Sequence, residues 1–273
     1  MDTSYSVLMS VYRKEKPEWL RESIESILAQ SILPTQVVIV KDGPLTDELE
    51  DVLKDYESRE GHLFSMVSLE QNQGLGVSLQ KGVEACECQY IMRMDTDDYA
   101  VPLRAEKQLR VMEQYHADIV SSHVGEFSDS IDNIKKYKEL PECHKDIYQY
   151  AKGRNPFNHP AVFFRKDKVL AAGNYQPFLW IEDYDLWLRM LEMGCIGYNI
   201  QEALVLMRVD DKAYERRGGM AYLKSMLAFN KKWRKKGWFS LKQYIVRSGA
   251  SIVVTLVPNK TRDFLYKKLL RKG

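Results

Sequence analysis

The sequence predicts an α/β protein in which a mostly parallel sheet is flanked by helices and followed by a basic helical C-terminal extension. Three observations predict this class. Over about the first hundred residues, short apolar strands alternate with helical segments of about ten to fifteen residues, which is typical of parallel sheets with both faces covered. Acidic residues directly follow two of these strands, and the last part of the chain is strongly basic.

Four strands and three helices are predicted in this first part. The strands are "YSVLMSVY", "QVVIVKDG", "HLFSMVSL" and "QYIMRM", each rich in β-branched or other apolar residues. The first helix follows the first strand and carries apolar residues at helical spacing on one face. The second helix has Thr46 as its predicted N-cap and runs to about Arg59, and "GLGVSLQKGVEAC" forms the third.

The second half of the chain is less regular. "HADIVSSHVGEF" and "HPAVFFRKD" are predicted strands, and residues from Glu182 to Met193 form a predicted amphipathic helix. A further helix from Tyr214 to Lys236 becomes very basic toward its end. The apolar run of the last segment is about ten residues long and is broken by Pro258, whereas a membrane span needs about 20 residues. We therefore expect no transmembrane helix.

These elements predict one domain and a tail. We assign residues 1–220 to the α/β domain, with a first half at about 1–100 and a second half at about 101–220. Residues 221–273 form a basic amphipathic helical tail in this interpretation.

The charge is distributed unevenly along the chain. From Arg208 onward there are 18 Lys and Arg against 4 Asp and Glu, whereas the first 207 residues hold 22 against 34. A basic tail on an acidic body indicates an anionic partner surface, either a membrane or a nucleic acid. The N-terminus has no signal-peptide pattern, and the four cysteines form no C-x-x-C pair, so we expect free thiols in a reducing compartment.

The stretch "YIMRMDTDDYAVP" places three acids at the end of a buried strand. In parallel sheets, ligands bind beyond the carboxyl ends of the strands, where Asp42 also lies. Carboxylates brought together there repel one another, and a hard divalent cation such as Mg²⁺ or Mn²⁺ removes that cost. The alternative is that Asp98 caps a helix starting near Pro102 and that the other two acids are solvated loop residues.

Five blocks in order carry a family resemblance. They are "SVLMSVYRKEKPEWLRESIESILAQS", "VVIVKDGPLTDEL", "NQGLGVSLQKGV", "YIMRMDTDD" and "WIEDYDLWLRM". Over about residues 4–220 the chain resembles the family 2 glycosyltransferases of the GT-A fold, especially bacterial enzymes that build capsule, exopolysaccharide and O-antigen. The resemblance implies inverting transfer of a sugar from a nucleotide-sugar donor, such as a UDP-sugar, to a saccharide or lipid-linked saccharide. It also implies a cytoplasmic enzyme held at the inner face of the cell membrane.

The resemblance makes residues 1–100 the nucleotide-binding half and residues 101–220 the acceptor half of the domain, and it assigns the donor side of the site. Residues after the first strand would line the nucleotide, and Asp42 would accept a hydrogen bond from the base. Asp95 would face the ribose and, with Asp97, belong to the metal site, where Asp97 ligates Mn²⁺ or Mg²⁺ between the donor phosphates. The nucleotide-lining residues are Ser10, Val11 and Tyr12.

The acceptor side follows from "WIEDYDLW". By resemblance, Asp183 is the general base and Glu182 orients the acceptor. His159 would lie near the acceptor cleft, and Trp180 would stack on a sugar ring. The alternatives are that the two acids only stabilise a helix N-terminus, which is the role we expect of Asp185, and that the histidine and tryptophan are packing residues.

The sequence departs from the family pattern at two places. Leu79 stands where many members have a donor-binding arginine, so Arg93 and Arg104, which flank the acidic stretch, are candidates for that contact. "MRVDDKAYERRGG" puts Asp210 where many members have a metal-binding histidine. In the same stretch, Arg216 and Arg217 belong to a cationic loop that could fold over the diphosphate or be an ordinary basic loop.

Two other functions are considered. A binding protein with a basic, aromatic-rich tail would contact nucleic acid, but this leaves the acidic strand ends unexplained, so we expect no nucleic-acid partner. A sugar nucleotidyltransferase would need a glycine-rich basic loop after the first strand, and "SVYRKEKPEW" has no glycine. An anionic membrane surface is the expected partner of the tail.

Overall fold

The computed structural model describes residues 3–209 and 219–256. The first half contains, in chain order, β1 (Tyr5–Val11), α1 (Pro17–Leu28), β2 (Gln36–Lys41), α2 (Asp47–Glu60), β3 (Phe64–Ser68), α3 (Leu75–Ala85), β4 (Tyr90–Arg93), β5 (Tyr99–Ala100) and α4 (Arg104–Gln114). The second half contains β6 (Ile119–Phe127), β7 (Lys136–Lys138), α5 (His144–Tyr150), a 3-10 helix (His159–Ala161), β8 (Phe163–Arg165), α6 (Lys166–Ala171), α7 (Glu182–Glu192), β9 (Gly197–Arg208), α8 (Met220–Lys235) and α9 (Leu241–Leu256).

The described strands form one sheet in the order β3-β2-β1-β4-β8-β6-β9-β5, with β7 paired to β6. The pairs among β3, β2, β1 and β4 are parallel, with Leu8 opposite Val38 and Arg93. Beyond β4 the sheet is mixed, because β8 runs antiparallel to both β4 and β6, whereas β6 and β9 are parallel. The predicted α/β class with a mostly parallel sheet is confirmed, and the antiparallel pairs belong to the less regular second half.

Two hydrophobic clusters cover the two faces of the sheet. Alternation along β1 sends Leu8 into one cluster and its neighbours Val7 and Met9 into the other. The first cluster includes Trp187 of α7, and the second includes Ile24 of α1. The continuous apolar sequence of β1 is therefore explained by burial on both faces.

Most predicted elements are confirmed within a few residues. Thr46 caps α2, where its hydroxyl oxygen accepts the Leu49 N–H at 3.4 Å. The predicted strand in "HPAVFFRKD" is instead a 3-10 turn followed by a three-residue strand. The basic helix begins at Met220 after Gly219, which has a φ of +92°, and residues 214–218 of its predicted range lie outside the described part.

The alternative in which Asp98 caps the following helix is excluded. That helix begins at Arg104, and Asp98 Oδ1 accepts the backbone N–H of Arg208 on β9 at 2.9 Å. The acid therefore connects the end of the sheet to the turn after β4.

In the described part of the chain, no helix combines the length and the apolar character that crossing a membrane requires. The four cysteines are free thiols, as predicted.

Candidate active site

A cleft of about 650 Å³ opens at the carboxyl ends of β1, β2 and β4. Five of its lining residues are among those predicted for the donor: Ser10, Tyr12, Asp42, Arg93 and Asp95. Because parallel strands end at the same edge of the sheet, residues far apart in sequence meet there. The opposite wall comes from the segment before α7 and from the start of α3.

Asp42 organises the loop that precedes α3. Its Oδ1 accepts the Gln73 N–H at 2.7 Å, and its Oδ2 accepts from Asn72 Nδ2 at 2.9 Å and from the Gly74 N–H at 3.0 Å. Gly43 allows this close approach, because its φ is +83° and a Cβ there would lie 2.5 Å from the Asn72 nitrogen. Asp42 therefore lines the cleft from a position that these hydrogen bonds fix.

Arg93 forms an ion pair with Asp95. Its guanidinium donates to both carboxylate oxygens, and the arginine side chain is almost completely enclosed. Such a two-pronged contact fixes the plane of the carboxylate. Arg93 lines the cleft as predicted for a donor contact, and its observed partner in the protein is Asp95.

The three acids after β4 form a compact cluster. In the described part of the chain, carboxylate oxygens of Asp95, Asp97 and Asp98 lie within 4.8 Å of one another. Asp98 is 2% exposed, and its Oδ2 has no hydrogen-bond partner among the described residues. Burial, followed by the neighbouring Asp97 and Asp95 charges, raises the pKa of Asp98 well above its usual value.

This donor set fits a hard divalent cation. All the donor atoms are carboxylate oxygens, which Mg²⁺ and Mn²⁺ prefer, and the enclosed Asp98 Oδ2 has no hydrogen-bond partner within residues 3–209 and 219–256. Arg208 supports the cluster from behind, because its Nε donates to the Asp97 carbonyl at 3.1 Å and its side chain pairs with Glu22 of α1. Asp97 lines the cleft, so a cation held there would also contact a ligand.

The first turn of α7 brings a second acidic pair to the site. Glu182 lines the cleft, and burial, followed by the charge of Asp183, raises the pKa of Glu182 to about 7. Asp183 accepts a hydrogen bond from Asn155 Nδ2 at 2.5 Å. Burial raises the pKa of Asp183, although hydrogen bonds from Tyr184 N–H and Asn155 oppose the rise. Within the described residues, the cleft lining includes Glu182 but not Asp183.

His159 and Trp180 both reach the cleft, as predicted. The Nε2 atom of His159 lies 3.0 Å from the Tyr175 hydroxyl, and burial, followed by Arg93, lowers the pKa of His159 well below its usual value. The histidine is therefore neutral at neutral pH. Trp180 has a φ of +64°, which is strained for a bulky residue, and its ring packs edge-on against Tyr222 of α8 at 5.7 Å.

Two donor-side predictions need correction. Val11 points into the core and is fully buried, so only its backbone belongs to this edge, where its carbonyl accepts the Asp42 N–H at 2.8 Å. Arg104 is also fully buried, and its guanidinium bonds to the Gln108 side chain and the Arg93 carbonyl. It stabilises the interior behind the site and does not reach the cleft. Asp210, Arg216 and Arg217 lie outside the described residues.

Sequence reasoning missed several site residues. Asn72 and Gly76 belong to the "NQGLG" block, where a Cβ on Gly76 would make tight contacts of 3.2 Å with the Gln176 carbonyl oxygen and 3.3 Å with the Glu182 Cβ. The two glycines in this block were the available signal. No local pattern marks Asn155 or Tyr175, whose contacts to Asp183 and His159 join segments separated by 28 and 16 residues.

Asp185 does more than stabilise a helix N-terminus. It is fully buried and accepts from Arg189 Nε at 2.8 Å, Lys232 Nζ at 2.7 Å and Trp233 Nε1 at 2.9 Å. Lys232 and Trp233 belong to α8, so this carboxylate joins the helix that carries Glu182 and Asp183 to the C-terminal helices.

Two sequence relatives match almost the whole chain. The amylovoran biosynthesis glycosyltransferase AmsE of Erwinia amylovora is 38% identical over 280 residues, covering 98% of this chain and 100% of the relative. An Escherichia coli UDP-Gal:alpha-D-GlcNAc-diphosphoundecaprenol beta-1,3-galactosyltransferase is 35% identical, covering 98% of this chain and 97% of the relative.

Solved structures share the fold at lower identity. S. aureus TarS in complex with UDP-GlcNAc superposes with a TM-score of 0.64 at 15% identity, covering 98% of this chain and 71% of that chain. A mannosyltransferase from Pyrobaculum calidifontis, in complex with GDP-Man and Mn²⁺, superposes with a TM-score of 0.62 at 12% identity, covering 98% of this chain and 81% of that chain.

The family assignment rests on these relatives and on a match of residues 6–173 to the glycosyl transferase family 2. It favours the glycosyltransferase hypothesis over the binding-protein and nucleotidyltransferase alternatives. The fold class predicted from the resemblance is also confirmed. This chain belongs to glycosyl transferase family 2 and is an enzyme of the GT-A fold.

Proposed function

We propose that this enzyme transfers a sugar from a UDP-sugar to a saccharide on a lipid diphosphate, with inversion, during synthesis of a bacterial surface polysaccharide. One observation carries the proposal. A single cleft joins the strand-end acids Asp42, Asp95 and Asp97 to Glu182 at the start of α7. The chemistry named for the E. coli relative, which acts on a lipid-diphosphate acceptor, supports the choice of donor and acceptor.

The donor side binds the nucleotide diphosphate. Asp42 and Tyr12 are proposed to contact the base, and Asp95, held by Arg93, the ribose. Asp97 and Asp95 would hold Mn²⁺ or Mg²⁺, with Asp98 supporting the cluster. When bound, the cation supplies electrostatic stabilisation of the negative charge that develops on the leaving nucleoside diphosphate.

The acceptor side activates the attacking hydroxyl. Asp183 is proposed to take the proton from that hydroxyl while its oxygen bonds to the anomeric carbon and the bond to the diphosphate breaks. A single displacement of this kind inverts the anomeric configuration. The hydrogen bond from Asn155 fixes one Asp183 oxygen, and the raised pKa strengthens the carboxylate as a base. Glu182 and Trp180 would position the acceptor sugar, with His159 as a neutral neighbour.

The proposed site of action is the cytoplasmic face of the cell membrane, where a lipid-linked acceptor is available. The excess of Lys and Arg after Arg208 supports attraction to an anionic bilayer.

A donor and acceptor panel tests this function. The full chain is incubated with UDP- or GDP-sugars, a synthetic N-acetylglucosamine lipid diphosphate, and Mn²⁺ or EDTA. We expect transfer from a UDP-sugar that EDTA abolishes, and an inverted anomeric configuration in the product by NMR. Retention of configuration, or undiminished transfer in EDTA, would contradict the proposed mechanism.

A further inference from the structure

Helix α9 packs on the protein through its polar side. Gln243 Nε2 donates to the Lys152 carbonyl at 3.3 Å. Arg247 Nε donates to Asn230 Oδ1 at 3.1 Å, and another nitrogen of the same guanidinium donates to the Gly153 carbonyl. A helix on the surface of a globular protein normally buries its apolar side instead.

The opposite side of α9 is apolar and exposed. Five large apolar side chains are between 40% and 61% exposed. At about 100° per residue, positions 241, 245 and 252 lie within about 40° of one another in projection along the axis, and positions 246 and 253 lie about 100° further round. The five therefore share one half of the helix circumference, which also carries the exposed Lys242. We call this surface the α9 face, and it consists of Leu241, Ile245, Val246, Ile252 and Val253.

All the charged residues in the part of the chain around the α9 face are basic. Residues 219–256 contain eight Lys and Arg and no Asp or Glu. Three exposed lysines, Lys224, Lys231 and Lys235, recur at helical spacing along one side of α8, which packs against α9. The sequence of residues 257–273 adds six Lys and Arg and one Asp.

Helix α8 also contacts the wall of the cleft. Ser225 Oγ donates to the Leu179 carbonyl at 3.0 Å, and Tyr222 packs against Trp180. Leu179 and Trp180 both line the cleft. The helix pair that bears the α9 face is therefore directly connected to the side of the site proposed for the acceptor.

We propose that the α9 face docks on the surface of an anionic lipid bilayer. The five apolar side chains enter the boundary between headgroups and acyl chains, while the lysines of α8 contact anionic headgroups. This inference rests on the proposed function, because a membrane-docked enzyme meets an acceptor whose lipid lies in the same bilayer.

The charges favour a bilayer over other occupants of the α9 face. A second copy would bring two acid-free, basic helix pairs together, and like charges would oppose that association. Residues 257–273 carry the same sign of charge. A nucleic acid would satisfy the lysines but would leave the apolar side chains in water.

Vesicle flotation tests the docking. The full chain is mixed with vesicles of phosphatidylcholine alone or of equal phosphatidylcholine and phosphatidylglycerol. The test variant is Ile245→Gln, Val246→Gln, Val253→Gln, and the matched control is Leu33→Gln, Leu170→Gln, Met193→Gln, which replaces exposed apolar residues elsewhere. We expect the native chain and the control to float with the anionic vesicles. The fraction of the test variant that floats should be lower by about tenfold or more.

Further measurements keep the result interpretable. Thermal unfolding checks that each variant folds, and light scattering gives its molar mass. Raising the salt concentration weakens flotation of the native chain if the lysines contribute, a result that needs no variant. Three results would overturn the proposal. The native chain stays at the bottom of the gradient, or the test variant floats as the native chain does. In the third, the native chain is a dimer that does not float, and the test variant is a monomer.

Transfer to a water-soluble acceptor, measured without vesicles, separates this inference from the proposed function. The α9 variant should retain that activity because its substitutions lie outside the cleft. Absence of transfer by the native chain, with flotation intact, would count against the function and not against the docking.

Discussion

The acidic residues in and beside the cleft differ in what surrounds them. Asp95 is paired with an arginine, Asp42 accepts three hydrogen bonds, and Asp98 is enclosed with an oxygen that has no partner among the described residues. At Glu182 and Asp183, burial is the main cause of a raised pKa. Carboxylates of one chemical type therefore have different environments, as the separate roles proposed for them toward nucleotide, cation and acceptor require.

Glu182 gives a pH-dependent prediction. Its pKa rises from 4.5 to about 7 on folding, so the folded protein holds a proton that the unfolded chain has released between these values. Stability from this residue is fully present below about pH 4.5 and is lost as the pH rises toward 7, by up to about 3 kcal/mol.

Urea unfolding of the native chain and of Glu182→Gln, from about pH 4.5 to 8, measures this effect. The free energy of unfolding should fall more steeply with pH in the native chain. Equal slopes in the two proteins would show that Glu182 titrates normally.

Asp97 gives a metal-dependent prediction. Removing a proposed cation ligand with Asp97→Ala should lower transfer more than about 100-fold and abolish the thermal stabilisation that Mn²⁺ gives in the presence of UDP. Asp51→Ala, which removes an exposed acid on α2, is the control. Unchanged stabilisation by Mn²⁺ and UDP in Asp97→Ala would refute the assignment.

At this scale, sequence reasoning succeeded where chemistry and strand ends coincide. It predicted Asp42, Asp95 and Asp97 at the cleft because an acid following a buried strand is visible locally. It misjudged Arg104, because the burial of a side chain depends on elements far away in sequence.

At the scale of elements, α7 and α8 act as a unit. Asp185 lies one turn after Glu182 and is bonded to Lys232 and Trp233, and the same helix packs Trp187 into the core. The geometry of the acidic pair therefore depends on a helix that lies beyond residues 6–173, the part that matches the family.

Lys232→Met tests this connection. The change leaves the buried Asp185 with fewer partners, and we expect the free energy of unfolding to fall by about 2 kcal/mol. Lys231→Met, at an exposed neighbouring position, should change it by less than about 0.5 kcal/mol. Urea unfolding checks both, and equal effects of the two substitutions would contradict the role of the ion pair.

The elements were predictable where local signals suffice. Strands β1 to β4 are short, mostly apolar segments separated by helices, and each is confirmed. The region from 141 to 165 was harder, because its contacts are long-range: Asn199 of β9 donates to the Pro141 and Pro156 carbonyls. The hydrophobic pattern of this segment has no regular period from which its structure could be predicted.

At the scale of the whole molecule, charge and function are separated along the chain. The acidic body holds the cleft, and the basic helices contact both the wall of the cleft and the first turn of α7. The predicted division near residue 220 stays a prediction, but these contacts tie α8 closely to the body. The composition alone predicted an anionic partner. That α9 packs on the protein through polar residues and exposes its apolar ones could be seen only in the structure.

The most direct test of the proposed mechanism is to identify the general base. Rates of sugar transfer and affinities for the UDP-sugar are measured for the native chain, Asp183→Asn and Glu182→Gln. We predict that Asp183→Asn transfers sugar about 10²–10⁴-fold more slowly with donor affinity unchanged, while Glu182→Gln weakens acceptor binding and keeps much of the rate. A normal rate in Asp183→Asn, together with loss of transfer in Glu182→Gln, would contradict it and make Glu182 the base.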